Sequence, residues 1–183
     1  PNTGIYYALE DNDPSVSYLG PGYGGQYYDA EAMYVDFDST NIYFAVVTGF
    51  PSDGIGAYRP GDLAFDAGID GTYEYGIDTT GNGSFTKGSL YSVSSWGTSA
   101  IPGHGAADPT EILAGSLIYN PPGTNLVYNK TYYSATGHYV IEGFMPYSYF
   151  GSDINNDFRL HWTITCGNDY INLDIPIKGP IIP

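Results

Sequence analysis

Apolar side chains recur at every second position along most of this chain and almost nowhere at the three-and-four spacing of a helix. Alternation of that kind marks strands with one covered face. It predicts strands over Ile5 to Leu9, Val16 to Leu19, Tyr28 to Phe37, Ile42 to Thr48, Leu63 to Phe65 and Tyr73 to Ile77. Further strands follow over Ser89 to Ser95, Glu111 to Tyr119, Tyr139 to Met145, Phe158 to Thr165 and Tyr170 to Ile177. Ile42 to Thr48 is apolar almost throughout, as a central strand covered on both faces would be. In the strand from Phe158, the alternation turns Phe158, Leu160, Trp162, Ile164 and Cys166 inward and Arg159, His161, Thr163 and Thr165 outward. Asp70-Gly71 predicts a hairpin turn, because both residue types tolerate positive φ. The one helical candidate is a turn near Pro146 to Phe150. About ten strands with frequent turn signals predict an all-β fold with almost no helix, a single β-sandwich of jelly-roll or immunoglobulin-like type over residues 1–183.

Composition supports that picture. The chain holds 25 Gly, 13 Pro and 20 Tyr with only 14% charged residues, unlike a disordered segment. Its formal charge of −15, from 20 acidic against 5 basic residues, argues against nucleic acid, which needs a basic stripe, and against anionic lipid. No apolar run approaches the roughly 18 residues of a membrane span. The single cysteine, Cys166, falls on the inward side of a strand and reads as a small buried thiol. A start at Pro1 and two sequons in turn-like stretches, Asn82-Gly83-Ser84 and Asn129-Lys130-Thr131, lead us to expect an exported, extracellular product.

The acids gather where strands begin and end, and carboxylates crowded into turns repel unless something neutralises them. Hard divalent cations, calcium above all, do this through six to eight oxygen ligands. The densest segment holds Asp62, Asp66, Asp70, Glu74 and Asp78. Asp62 and Asp66 share one face of a strand, and Glu74 and Asp78 share a face of the returning one. Calcium ligation and an ordinary polar hairpin are the two readings. Asp153, Asn155 and Asp157 have the spacing of half a calcium loop, without the glycine and the closing glutamate. Asp29 and Glu31, on one strand face, are candidate ligands for a site shared with another loop.

Other chemistry is weakly marked. His104, His138 and His161 lack the spacing of a zinc site. There is no nucleophile elbow, phosphate loop or cysteine–histidine context, so no enzyme activity is expected. Trp96, with Tyr58, Tyr91 and Tyr23 as helpers, is either a sugar-stacking platform or packing at a loop base.

The segments YDAEAMYVDFDSTNIYFAVVTGFP, RPGDLAFDAGIDGTYEYGID, HYVIEGFMPYSYFG and LHWTITCGNDYINLDI resemble a family of secreted β-sandwich proteins of prokaryotic cell surfaces. That family often carries a C-terminal anchoring segment and is distantly similar to family 9 carbohydrate-binding-module and DOMON-type sandwiches. The resemblance implies the fold and a cell-surface location.

Together these features lead to two expectations. The first is an extracellular structural subunit, braced by calcium, that joins copies of itself into a filament, tube or layer. Residues 1–10, with Ile5, Tyr7 and Leu9, and residues 170–183, with Ile171, Leu173 and Ile175, are apolar and β-prone. Either could add to a neighbour's open sheet edge, or simply close its own sandwich. The second is a secreted glycan-binding module in which calcium is structural.

Overall fold

A computed structural model describes residues 4–9, 24–81, 83–131 and 137–177. The strand expected at Val16 to Leu19, Asn82 of the first sequon and Tyr23 lie outside the described residues. Among the described residues eleven strands form two antiparallel sheets, a β-sandwich as the alternation predicts. The five-stranded sheet runs β1 (Tyr6–Leu9), β2 (Ala30–Phe37), β3 (Asn41–Thr48), β9 (Tyr139–Pro146), β8 (Leu126–Lys130). The six-stranded sheet runs β11 (Tyr170–Ile175), β10 (Phe158–Thr163), β4 (Leu63–Ala67), β5 (Tyr75–Ile77), β6 (Leu90–Trp96), β7 (Ile112–Tyr119). The chain crosses between sheets after β3, β7 and β9, and each stretch between crossings is a run of neighbouring strands.

The core lies between the sheets. Met33 and Val35 of β2, Ile42, Phe44 and Val46 of β3, and Ile141 and Met145 of β9 meet Leu63, Phe65, Leu160 and Trp162 from the other side. Trp162 is wholly buried, and its indole N–H donates to the Gly61 carbonyl at 3.1 Å, so the largest core side chain leaves no donor unpaired. Cys166 is a buried free thiol.

Two local findings differ from the alternation. β8 was not foreseen: five residues after the turn-rich Asn120-Pro121-Pro122-Gly123 give too short a pattern, and pairing with β9 makes the strand. The second sequon therefore starts on an exposed strand end instead of in a turn. The turn expected near Pro146 is a longer 3₁₀ segment, Tyr147–Asn155, broken at Gly151, whose φ of 61° lies in the left-handed region. Among the described residues no helix is long and apolar enough to cross a membrane.

The two sheets differ on their outer faces. On the six-stranded sheet, outward-pointing His161, Thr163, Ala64 and Asp66 are buried, and loop backbone meets the three polar ones: the β6–β7 connection at His161, Asp169 at Thr163 and the β4–β5 loop at Asp66. His161 shows this directly, with Nε2 3.2 Å from the Ala107 carbonyl and 3.0 Å from that of Pro109. On the five-stranded sheet the outer rows stay open. Registered pairing places Tyr7, Tyr34, Ala45, Glu142 and Val127 in one row and Asp36, Tyr43 and Phe144 in the next.

Candidate functional site

The acidic run from Asp62 to Asp78 divides into a satisfied turn and a buried pair. β4 and β5 are antiparallel neighbours, with Leu63 opposite Ile77 and Phe65 opposite Tyr75. Residues 68–74 connect them, and Asp66 organises that loop by accepting the N–H groups of Asp70 at 3.0 Å and Gly71 at 2.9 Å. Asp70 accepts the Thr72 N–H and Glu74 the Ala67 N–H. Gly71 has φ 91°, so the glycine is there for the left-handed turn that Asp66 holds. Three of the five carboxylates are thus engaged by the loop's own backbone.

Asp62 and Asp78 behave differently. They stand at the outer ends of β4 and β5, 5% and 1% exposed. The Asp62 carboxylate accepts the Thr79 N–H at 3.0 Å and the Ile112 N–H at 2.8 Å, while Asp78 caps the following turn through the Gly81 N–H. Burial first, and then the charge of Asp78, push Asp62 up to about 8, against the pull of the two N–H donors. A cavity of about 410 Å³ opens here, lined among others by Arg59, Ser84 and Glu111. The guanidinium of Arg59 is committed to Glu111, with nitrogen–oxygen distances of 3.0 and 2.8 Å. Two buried carboxylates that repel, beside a polar cavity, form an environment that a divalent cation would neutralise. Among the described residues, no three His, Cys, Asp or Glu side chains converge as a metal cluster, so further oxygens would come from Ser84, backbone carbonyls or water.

The remaining oxygen candidates are dispersed. Asp153 accepts the Tyr75 hydroxyl at 2.6 Å, which fastens the 3₁₀ segment to β5. Asp157 accepts the Ile177 N–H at 2.7 Å, whereas Asn155 lies half-buried within the 3₁₀ segment. Asp29 and Glu31 have separate surroundings, because a bulge between Ala30 and Ala32 interrupts the alternation that would align them. Glu31 meets Gln26 at 2.6 Å and His138 at 2.7 Å. Asp29 keeps one carboxylate oxygen, Oδ1, buried without a hydrogen-bond partner among the described residues. A buried lone carboxylate oxygen is costly and is the second place where a cation would be welcome.

The aromatic candidates all make packing contacts. Trp96 donates its indole N–H to the Tyr73 carbonyl at 2.8 Å and lies over Gly76, where a Cβ would come within 2.6 Å of the ring. Tyr91 is buried edge-on against Phe85, and its hydroxyl accepts the Thr86 N–H. Tyr58 belongs to a small hairpin with Ile55 and packs against the core. An open groove of about 480 Å³ lies instead across the five-stranded sheet, with Tyr34, Tyr43, Phe144, Asp36, Glu142 and Asn125 in its walls. Tyr43 is pinned there because its hydroxyl donates to Asp38 Oδ2 at 2.6 Å. That bond, with the Thr40 and Asn41 N–H groups, holds Asp38 well below the ordinary carboxylate range. Strand alternation carried a signal for this groove in Tyr34, Tyr43 and Phe144, yet outward aromatics on three separate strands converge only once the register is known.

Both terminal strands pair within their own chain, and both are edge strands. β1 pairs with β2 over Tyr6 to Leu9, and β11 with β10 over Tyr170 to Ile175. They share one side of the sandwich, where the Tyr6 hydroxyl donates to the Pro176 carbonyl at 3.4 Å. Ile171, Leu173 and Ile175 point into the core, whereas Ile5, Tyr7 and Leu9 are 62%, 62% and 61% exposed. Compared with known protein families, characterised proteins and solved structures, the chain gives no match.

Proposed function

We propose that the protein is an extracellular structural subunit, a β-sandwich braced by calcium that joins copies of itself into a surface filament, tube or layer. The observation that carries this reading is β1. It lies at a sheet edge, is held by four residue pairs, and presents Tyr7 and Leu9 to solvent, with Ile5 exposed just before it. Exchanging such a strand between identical copies replaces each intrachain pair by the same interchain pair, so assembly costs little enthalpy. Calcium at Asp62 and Asp78, and beside Asp29, would remove carboxylate repulsion that otherwise opposes association of chains of charge −15. The sequence resemblance to secreted cell-surface sandwiches supports the location. Electron microscopy of the purified protein tests it: ordered assemblies with calcium and their dissolution by a chelator are expected. Single particles under both conditions, with no calcium-dependent rise in thermal stability, overturn it.

A second reading rests on the outer groove. Three aromatic rings beside carboxylate and amide acceptors suit the apolar face and hydroxyl donors of a neutral sugar. Polysaccharide pull-down that disappears in Tyr43→Ala and persists in Trp96→Ala would select this glycan-binding role. Retention of binding in both variants would remove it.

A further inference from the structure

We propose that β7 is a self-pairing edge through which two copies join antiparallel, merging their six-stranded sheets into one continuous sheet. The proposal rests on the self-assembly reading above and names a second contact surface for it, on the sheet edge opposite the one formed by β11. An edge strand leaves a row of N–H and C=O groups without strand partners, and proteins usually blunt such edges with charge, proline or brevity. Three of the four edges here are blunted. β1 has four residues, β8 ends in Lys130, and β11 carries Asp174 ion-paired to Arg159 at 2.6 Å, with Pro176 just beyond. β7 has neither charge, proline nor brevity, and its one irregularity is a shifting register against β6. Its eight residues, Ile112–Tyr119, include no charge and no proline, and residues 113–117 are all exposed. Leu113 and Leu117 are 56% and 55% exposed.

The occupant follows from the order of side chains. Ile112-Leu113-Ala114-Gly115-Ser116-Leu117-Ile118 reads nearly the same in both directions. A two-fold axis at Gly115 sets Leu113 of one copy opposite Leu117 of the other, Ala114 opposite Ser116, and Ile112 opposite Ile118. Large meets large and small meets small, the self-complementarity that an isologous contact requires. The small residues at the centre let the two backbones approach. Charge agrees as well: β6 and β7 are both free of acidic and basic residues, and Glu111, just before β7, is ion-paired to Arg59.

The test is sedimentation velocity of the full chain in chelator, across a dilution series, which removes calcium-driven assembly. A concentration-dependent dimer is expected for the wild type. Leu117→Glu alone and Leu113→Lys alone should shift it to monomer, each still folded by circular dichroism. The double variant should restore the dimer, since each introduced lysine faces the introduced glutamate of the other copy. Hydrogen exchange on the wild type gives an independent reading: amides of residues 112–119 should gain protection as concentration rises. A monomer at every concentration without such protection, or a dimer indifferent to both single variants, overturns the proposal. Filaments in calcium with a monomer in chelator would sink β7 pairing alone; a chelator-stable dimer that never forms filaments would sink only the filament reading.

Discussion

The outer face of the six-stranded sheet is covered over β4 and the inner part of β10, whereas among the described residues that of the five-stranded sheet is open, although both are built from strands with the same alternation. On the covered face, polar side chains such as His161, Thr163 and Asp66 are buried and bonded to loop backbone. On the bare face, Tyr7, Tyr43 and Phe144 stand exposed beside Glu142. A buried polar group must find partners, so on the covered face side-chain chemistry is spent on holding loops. Exposed rings have no such duty, which leaves the bare face and the sheet edges for ligands and other chains.

Substitutions on the two faces should therefore differ in kind. The largest effect is expected for His161→Ala, which opens a cavity and strands the Ala107 and Pro109 carbonyls. Loss of about 3 kcal/mol in denaturant unfolding is the expected outcome. A mild effect would mean that the loop covers the sheet without being fastened by it. Next comes Asp66→Ala, which frees the Asp70 and Gly71 N–H groups and should cost about 1–2 kcal/mol. Because the turn satisfies its own carboxylates, its effect should be the same with and without calcium. A calcium-dependent cost would return Asp66 to the cation ligands.

Asp78→Asn sharpens the division between the satisfied turn and the buried pair. The folded chain holds the Asp62 proton up to about pH 8, while the unfolded chain releases it near the ordinary aspartate value of 3.8. Between those values the folded state binds more protons, so this group's contribution to stability falls as pH rises. In chelator, the wild-type thermal midpoint should decline from pH 4 towards pH 8, and calcium should recover it at the upper end. Asp78→Asn, which removes the neighbouring charge, should flatten the decline and lose most of the calcium response. An unchanged profile in the variant would show that the pair does not control it. The smallest stability effect is expected on the bare face, where Tyr43→Ala should stay within about 1 kcal/mol of wild type. A much larger cost would show that the groove is closed in the native protein.

Much of the fold was legible. The strands from β1 to β7 and from β9 to β11 all coincide with expected segments, since burial on one face leaves a period-two trace whatever the topology; β3, whose apolar run implied cover on both faces, is instead open on its outer one, with Tyr43 exposed. β8 escaped because five residues behind Pro121-Pro122-Gly123 leave almost no periodicity. The candidate sites were less legible. In the sequence Asp62 and Asp78 belong to one five-carboxylate run, and closeness in sequence hides the difference between a turn that caps itself and a pair buried between strand ends. Trp96 is conspicuous in the sequence because tryptophan stacks well on sugars, but its packing over the bare backbone of Gly76 depends on a partner strand that residue order does not show. The bulge at Glu31 separated it from Asp29, and bulges leave no dependable mark in residue order.

What the sequence determined by itself is which side chains face the core, because alternation is a local property of each strand. It also determined the self-capping turn after Asp66 and the uncharged, near-symmetric run of β7, both written within a few residues. Only the tertiary structure decided which outward faces stay outside. Whether a loop lies across a sheet, which strands end at an edge, and which distant carboxylates meet depend on strand order and register. These are set by the packing of the whole chain, and no single segment carries them.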